Sequence, residues 1–101
     1  MKKIINGKMY DTETAAFVGS DEYSNPRDFH YCYEALYRKK SGEYFIYGEG
    51  GPLSKYRKSI DNHAWSGGES IIPMDIDLAR EWAEEHLAAD DYLDEFGEPE
   101  E

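Results

Sequence analysis

The residue types able to do chemistry in this 101-residue chain are few, and their spacing decides what each is worth. His30 and Cys32 alternate onto one face of an extended segment, and His63 and His86 would complete a nitrogen and sulfur ligand set for a metal. Structural zinc sites are normally built from paired Cys or His motifs, which this chain lacks. The expected state of these groups is therefore a partly buried thiol and ordinary surface imidazoles, with no metal and no cofactor. Cys32 with a histidine and an acid would be a nucleophile arrangement, yet no spacing in the chain draws such a trio together, and no catalytic residue is assigned.

The run Gly48-Glu49-Gly50-Gly51 lacks the lysine and hydroxyl of a phosphate-binding loop and carries a glutamate that repels phosphate, so it reads as a turn. Lys55-Tyr56-Arg57-Lys58 mixes base and aromatic in the manner of a nucleic-acid contact. A formal net charge of −11 opposes unaided nucleic-acid binding, and the expected partner of this cluster is the chain's own acidic helix or an acidic spot on another protein. Trp65, in Asn62-His63-Ala64-Trp65-Ser66-Gly67-Gly68, sits in a loop-like stretch. Such a Trp more often caps a core than stands exposed as an interface anchor, but Trp65 is carried as a partner-binding candidate for the second case.

The strongest signal is charge. Residues 73–101 hold twelve acids (Asp75, Asp77, Glu81, Glu84, Glu85, Asp90, Asp91, Asp94, Glu95, Glu98, Glu100, Glu101) against the single base Arg80. Residues 1–74 carry ten acids and ten bases, so the whole imbalance lies in the last quarter. Charge runs are commonly no more than a solvated helix face. Here, however, Asp77 with Glu81 and Glu81 with Glu85 are like-charge pairs at i, i+4, each costing roughly 0.2–0.5 kcal/mol, and folding alone gives no reason for them. Asp77, Glu81, Glu84, Glu85, Asp91, Asp94 and Glu95 are the candidate partner-binding residues, forming a phosphate-like face that suits a basic protein surface.

The elements that must position this face follow from periodicity and capping. Asp75 is placed to cap a helix whose stripe is Ile76, Ala79, Trp82, Ala83 and Leu87, with His86 beside it and Arg80 able to pair with Glu84. A second short helix is expected over residues 90–96, with Tyr92, Leu93 and Phe96 inward and Gly97 as terminator. Upstream, Lys2 to Ile5 and Lys8 to Tyr10 form a hairpin about Asn6-Gly7. Asp11 or Thr12 caps a helical turn through Val18, and residues 19–28 are a loop broken at Asn25-Pro26. A strand from Phe29 to Arg38 places Tyr31, Tyr33, Ala35 and Tyr37 on one face and His30, Cys32, Glu34, Leu36 and Arg38 on the other. It turns at Lys39-Lys40-Ser41-Gly42 into a second strand, Glu43 to Tyr47. Leu53 to Ser59 reads as a helical turn, and Ser70 to Ile72 as a further core strand ended by Pro73.

The expected fold is α+β: a small antiparallel sheet of three to five strands packed against a C-terminal α-helix plus a short second helix. It forms one domain over residues 1–97, with 98–101 an acidic frayed tail. Fifteen aromatic residues, nine of them Tyr, argue for a globular chain. The lone Cys32 cannot form an internal disulfide and fits a reducing, cytoplasmic setting. The N-terminus lacks the apolar run of a signal peptide, no segment is long enough to cross a bilayer, and neither membrane nor direct nucleic-acid binding is expected.

Several segments together, Ile5 to Ala15, Leu36 to Phe45, Gly48 to Gly51, Trp65 to Gly68 and Ala79 to Leu87, resemble a family of short acidic accessory proteins carried on bacterial mobile elements. The similarity covers most of the chain, and the family includes anti-CRISPR proteins of phage and other elements that act on the type II effector Cas9. Its pattern has no catalytic motif. The resemblance implies a non-enzymatic Cas9 inhibitor, a DNA mimic that meets the positively charged channels of Cas9 or its guide-RNA complex and blocks DNA engagement. Two alternatives stand beside it. One is an acidic decoy for another DNA-binding enzyme, and the other a regulatory or assembly module that uses the Tyr-rich hairpin and the Trp65 loop.

Overall fold

A computed structural model describes residues 1–101 as one α+β body, 48 × 32 × 20 Å in extent. Its strands are β1 (Lys2–Ile5), β2 (Lys8–Asp11), β3 (Ala16–Tyr23), β4 (Cys32–Arg38), β5 (Tyr44–Gly50), β6 (Lys58–Asp61), β7 (Ala64–Ser66) and β8 (Gly68–Met74). Helices α1 (Ile76–His86) and α2 (Ala89–Phe96) follow. Strands β3, β4, β5 and β8 form an antiparallel sheet in that order, while β1–β2 and β6–β7 are separate two-stranded ribbons.

The opening hairpin forms as expected: Ile5 pairs with Lys8, and Asn6 and Gly7 take φ of 51° and 77°, the double positive φ of a tight hairpin turn. The helical turn expected from Asp11 through Val18 stops after one turn: the Asp11 carbonyl accepts the Ala15 N–H at 3.1 Å and its side chain the Glu13 N–H at 2.9 Å, and Ala16 to Tyr23 continue as the edge strand β3. Local capping chemistry loses here to pairing with β4, where Phe17 lies opposite Tyr37 with their rings edge to face at 5.8 Å. The loop expected over 19–28 is thereby reduced to the stretch between β3 and β4.

The central hairpin β4–β5 holds the register Arg38 to Tyr44 through Cys32 to Gly50, turning at Gly42. It starts later than Phe29, because residues 25–31 are held in turns by Asn25 and Asp28 side chains that accept the N–H groups of Arg27 and His30. It also runs past Tyr47, so Gly48 and Gly50 are strand residues rather than a turn. A Cβ on Gly48 would lie 2.0 Å from Cζ of Tyr56, so glycine is required for the segment before β6 to lie against the strand. That segment is a series of turns and not the expected helical turn; Lys58 to Asp61 then pair with Ala64 to Ser66 in a ribbon the periodicity did not reveal. Pro73 lies inside β8 rather than ending it. β8 is a sheet edge paired only with β5, so the missing N–H of Pro73 costs no ladder bond.

Two cores flank the sheet. On one face Leu36, Tyr44 and Ile46 meet Ala79, Trp82 and Ala83 of α1, with Leu87, Tyr92 and Phe96 closing the edge. On the other, Tyr10 of the opening hairpin packs on Phe45 and Ile71, with Ile5, Ala15 and Tyr37 around them. The helix stripe is narrower than its periodicity implies, since Ile76 is 45% exposed, and in α2 Leu93 is also exposed. Asp75 caps α1 as expected, accepting the Leu78 N–H at 2.8 Å. Gly97 ends α2 with its N–H on the Leu93 carbonyl at 2.9 Å.

Candidate functional site

The sheet carries α1 and α2 on one face, and their outer surface is the acidic one. Asp77, Glu81, Glu84 and Glu85 of α1 and Asp91 and Asp94 of α2 are all exposed. Asp77, Glu81, Glu84, Asp91 and Asp94 have no basic group within ion-pair distance, and Glu85 has one contact, to His86 Nε2 at 3.8 Å. The expected Arg80–Glu84 pair is not made. Arg80 lies over the Phe96 ring instead, 5.8 Å from its centroid, where the guanidinium gains a cation–π contact and bridges the two helices. The one base of residues 73–101 is thus turned toward an aromatic and leaves the carboxylates uncompensated.

Glu95 stands apart from this face. Its carboxylate is 11% exposed and accepts both contacts of Arg38 Nη1, one of them at 2.6 Å, together with the Tyr44 hydroxyl at 2.6 Å. Burial first, then the adjacent Glu95 carboxylate, pushes the Tyr44 hydroxyl up to about 12, so it stays a donor. Glu95 therefore docks α2 onto the sheet, and the acidic face is made by the other six candidates of the two helices.

Beneath α1 lies a polar group that the charge pattern alone did not reveal. Glu34, in β4, is 6% exposed; its Oε1 accepts the Trp82 indole N–H at 3.2 Å, and its Oε2 accepts the Tyr56 hydroxyl and Lys55 Nζ, the latter at 2.8 Å. Burial raises the Glu34 carboxyl, but the donors from Lys55, Tyr56 and Trp82 outweigh it and hold the group below its ordinary value. Lys55 is therefore paired with the body of the domain rather than with the acidic helix. The signal that marks Glu34 in the sequence is a lone carboxylate at an apolar position of an alternating strand, on the same face as Leu36.

The remaining candidates fall at separate places. Trp65 is 48% exposed on β7, with Arg57 stacked over its ring at 4.6 Å, so it does not cap a core. His30 is held against Asp28 at 3.3 Å, and His86 stacks on Trp82 at 4.8 Å with Nδ1 2.8 Å from Asp21. The His, Cys, Asp and Glu side chains nowhere gather in a group of three suited to a metal. For Cys32, burial and then the Glu34 charge push the thiol up, the reverse of what a nucleophilic thiolate needs. No helix is long and apolar enough to cross a membrane. Comparison of the chain with family models, curated proteins and solved structures returned no match.

Proposed function

We propose that this protein is a non-enzymatic, anti-CRISPR-like inhibitor. In this reading Asp77, Glu81, Glu84, Glu85, Asp91 and Asp94 bind a basic nucleic-acid-handling protein and block its engagement of DNA. Cas9 or its guide-RNA complex is the target that the family resemblance implies. The observation that carries the reading is the set of uncompensated carboxylates on α1 and α2, with Arg80 withdrawn to Phe96. Asp77 to Glu85 place four carboxylates along about 12 Å of helix axis. That is about one charge per 3–4 Å, near the spacing of roughly 3.4 Å along one strand of duplex DNA. Apart from Asp77, which suits the positive end of the helix dipole, folding gains nothing from such a row, whereas a basic channel does.

The test is a Cas9 DNA-cleavage assay with the purified protein added before or after guide loading, paired with direct binding at two salt concentrations. Inhibition with salt-weakened binding, lost in the folded Glu81→Gln/Glu84→Gln/Glu85→Gln variant, supports the reading. Undiminished inhibition by that variant would sink the acidic-face mechanism. Absence of binding to Cas9 would move the face to another DNA-handling enzyme, to be identified by capture from extract.

A second reading, a regulatory or assembly module, is favoured by the exposure of Trp65 (48%) and Ile60 (65%) on the β6–β7 ribbon. Binding that is insensitive to salt but abolished by Trp65→Ala would select it.

A further inference from the structure

The face of the sheet opposite the helices is covered at one end by the opening hairpin and left open at the other. At the open end Tyr33 of β4, Tyr47 and Glu49 of β5 and Glu69 of β8 share that face by alternation and register, and Tyr31 lines a cleft with the two glutamates. This cleft, of about 410 Å³, is lined by Tyr31, Glu49, Gly50, Gly51, Lys58 and Glu69. Lys58 is within ion-pair distance of neither carboxylate. The Tyr33 and Tyr47 rings stand 6.5 Å apart, tilted by 59°.

Glu49 and Glu69 are direct partners in the β5–β8 register, a like-charge pair across strands that disfavours folding. The Tyr47 hydroxyl lies between them, 2.9 Å from Glu49 and 2.7 Å from Glu69. A hydroxyl has one proton to donate, so it satisfies one carboxylate while its lone pairs face the other. Burial and these two carboxylates push the Tyr47 hydroxyl upward, which keeps that proton in place. The site thus has surplus acceptors, surplus negative charge and aromatic rings beside them, and an arginine matches all three. Its guanidinium has five N–H donors for the carboxylates and a plane that stacks on tyrosine, whereas a lysine ammonium has neither the fork nor the plane.

We propose that this open sheet face, around Tyr31, Tyr33, Tyr47, Glu49 and Glu69, is a docking surface for an arginine side chain of a basic protein partner. It is a second contact, independent of the helical acidic face and on the opposite side of the sheet.

The experiment uses the full ¹⁵N-labelled chain titrated with a tetra-arginine peptide and, separately, a tetra-lysine peptide. Amide shifts from the arginine peptide should centre on Tyr31, Tyr33, Tyr47, Glu49, Gly50 and Glu69. Affinity at these amides should fall roughly tenfold or more in Glu49→Gln/Glu69→Gln, since charge-assisted hydrogen bonds are lost. It should hold in Glu81→Gln/Glu84→Gln/Glu85→Gln, which reports on the helical face alone. Tyr33→Ala, which removes one ring and no charge, should also weaken binding, and the wild-type shift map locates the peptide even if a variant fails to fold. Shifts confined to α1 and α2, an unchanged affinity in Glu49→Gln/Glu69→Gln, or equal binding of the lysine peptide would overturn the assignment.

Discussion

The indole N–H of Trp82 on α1 donates to Oε1 of Glu34 on β4 at 3.2 Å, so the main helix is tied to the sheet by a buried polar contact inside an otherwise apolar interface. Trp82→Phe keeps most of the ring's packing but strips the donor from a carboxylate that is 6% exposed. A buried acceptor left short of a partner costs about 1–3 kcal/mol, and urea unfolding should move by that amount. A loss no larger than that of an exposed substitution such as Leu78→Ala would mean that water replaces the indole.

The same carboxylate sets an acid limit. Glu34 is held below its ordinary 4.5 in the folded chain, so the unfolded chain binds its proton first as pH falls. Its contribution is present above about pH 4.5 and is lost as pH drops through the lower folded value. Compared with Glu34→Gln, the wild type should lose more stability between about pH 6 and pH 3, read as unfolding free energy at each pH. Parallel curves for the two chains would remove Glu34 as a source of acid sensitivity.

Gly48 is where the sheet admits Tyr56. A methyl there would stand 2.0 Å from Cζ and 2.2 Å from the hydroxyl oxygen of a ring whose hydroxyl is held by Glu34. The ring cannot retreat without giving up that bond. Gly48→Ala should therefore destabilise by about 1–3 kcal/mol of overpacking. Combined with Tyr56→Phe, it should cost less than the sum of the two single changes, because both disturb the same bond.

How much of this was legible beforehand differs by region for physical reasons. Helix α1, its Asp75 cap and the β4–β5 hairpin are written in local patterns, namely 3.6-residue periodicity, a cap and strict alternation. The α+β architecture follows from them. Strand β3 was not legible because Asp11 and Thr12 supply helix-cap chemistry while the pairing partners, Cys32 to Arg38, lie far along the chain. Glycines 48 and 50 mimic a turn, although their function is to leave room for Tyr56 and Ser54. The acidic face was visible as composition, but the removal of Glu95 from it was not. That depends on Arg38, 57 residues away, which no helical wheel displays.

Glu95 fastens α2. Its carboxylate joins Arg38 and Tyr44, while Phe96 packs against Tyr44 at 5.5 Å and Tyr92 at 5.0 Å. Glu95→Ala removes the polar half of this clasp and keeps the aromatic half. Amide hydrogens of residues 89–96 should exchange about tenfold faster while those of β4 and β5 keep their protection, the signature of local undocking. Equal acceleration across the sheet would mean that α2 unfolds only together with the whole domain.

Tyrosine supplies the alkaline limit. Five of the nine tyrosines, Tyr31, Tyr37, Tyr44, Tyr47 and Tyr56, are shifted upward from an ordinary 10.0, in each case first by burial. Carboxylates add to burial at four of them: Glu49 and Glu22 at Tyr31, Glu95 at Tyr44, Glu69 and Glu49 at Tyr47, and Glu34 at Tyr56. A group whose folded pKa is raised contributes stability that is complete below the unfolded value and declines as pH rises toward the folded one. The decline should begin near pH 10 and continue to at least about 12, the value for Tyr44. Tyrosinate absorbance from these five groups should then rise in a late stage, above the ordinary 10.0 or together with unfolding. Glu95→Gln should move part of the late stage earlier, since it removes the charge that opposes ionisation of Tyr44. Absence of any late stage above about 10, in a chain that stays folded, would show that these five hydroxyls feel neither their burial nor their carboxylates.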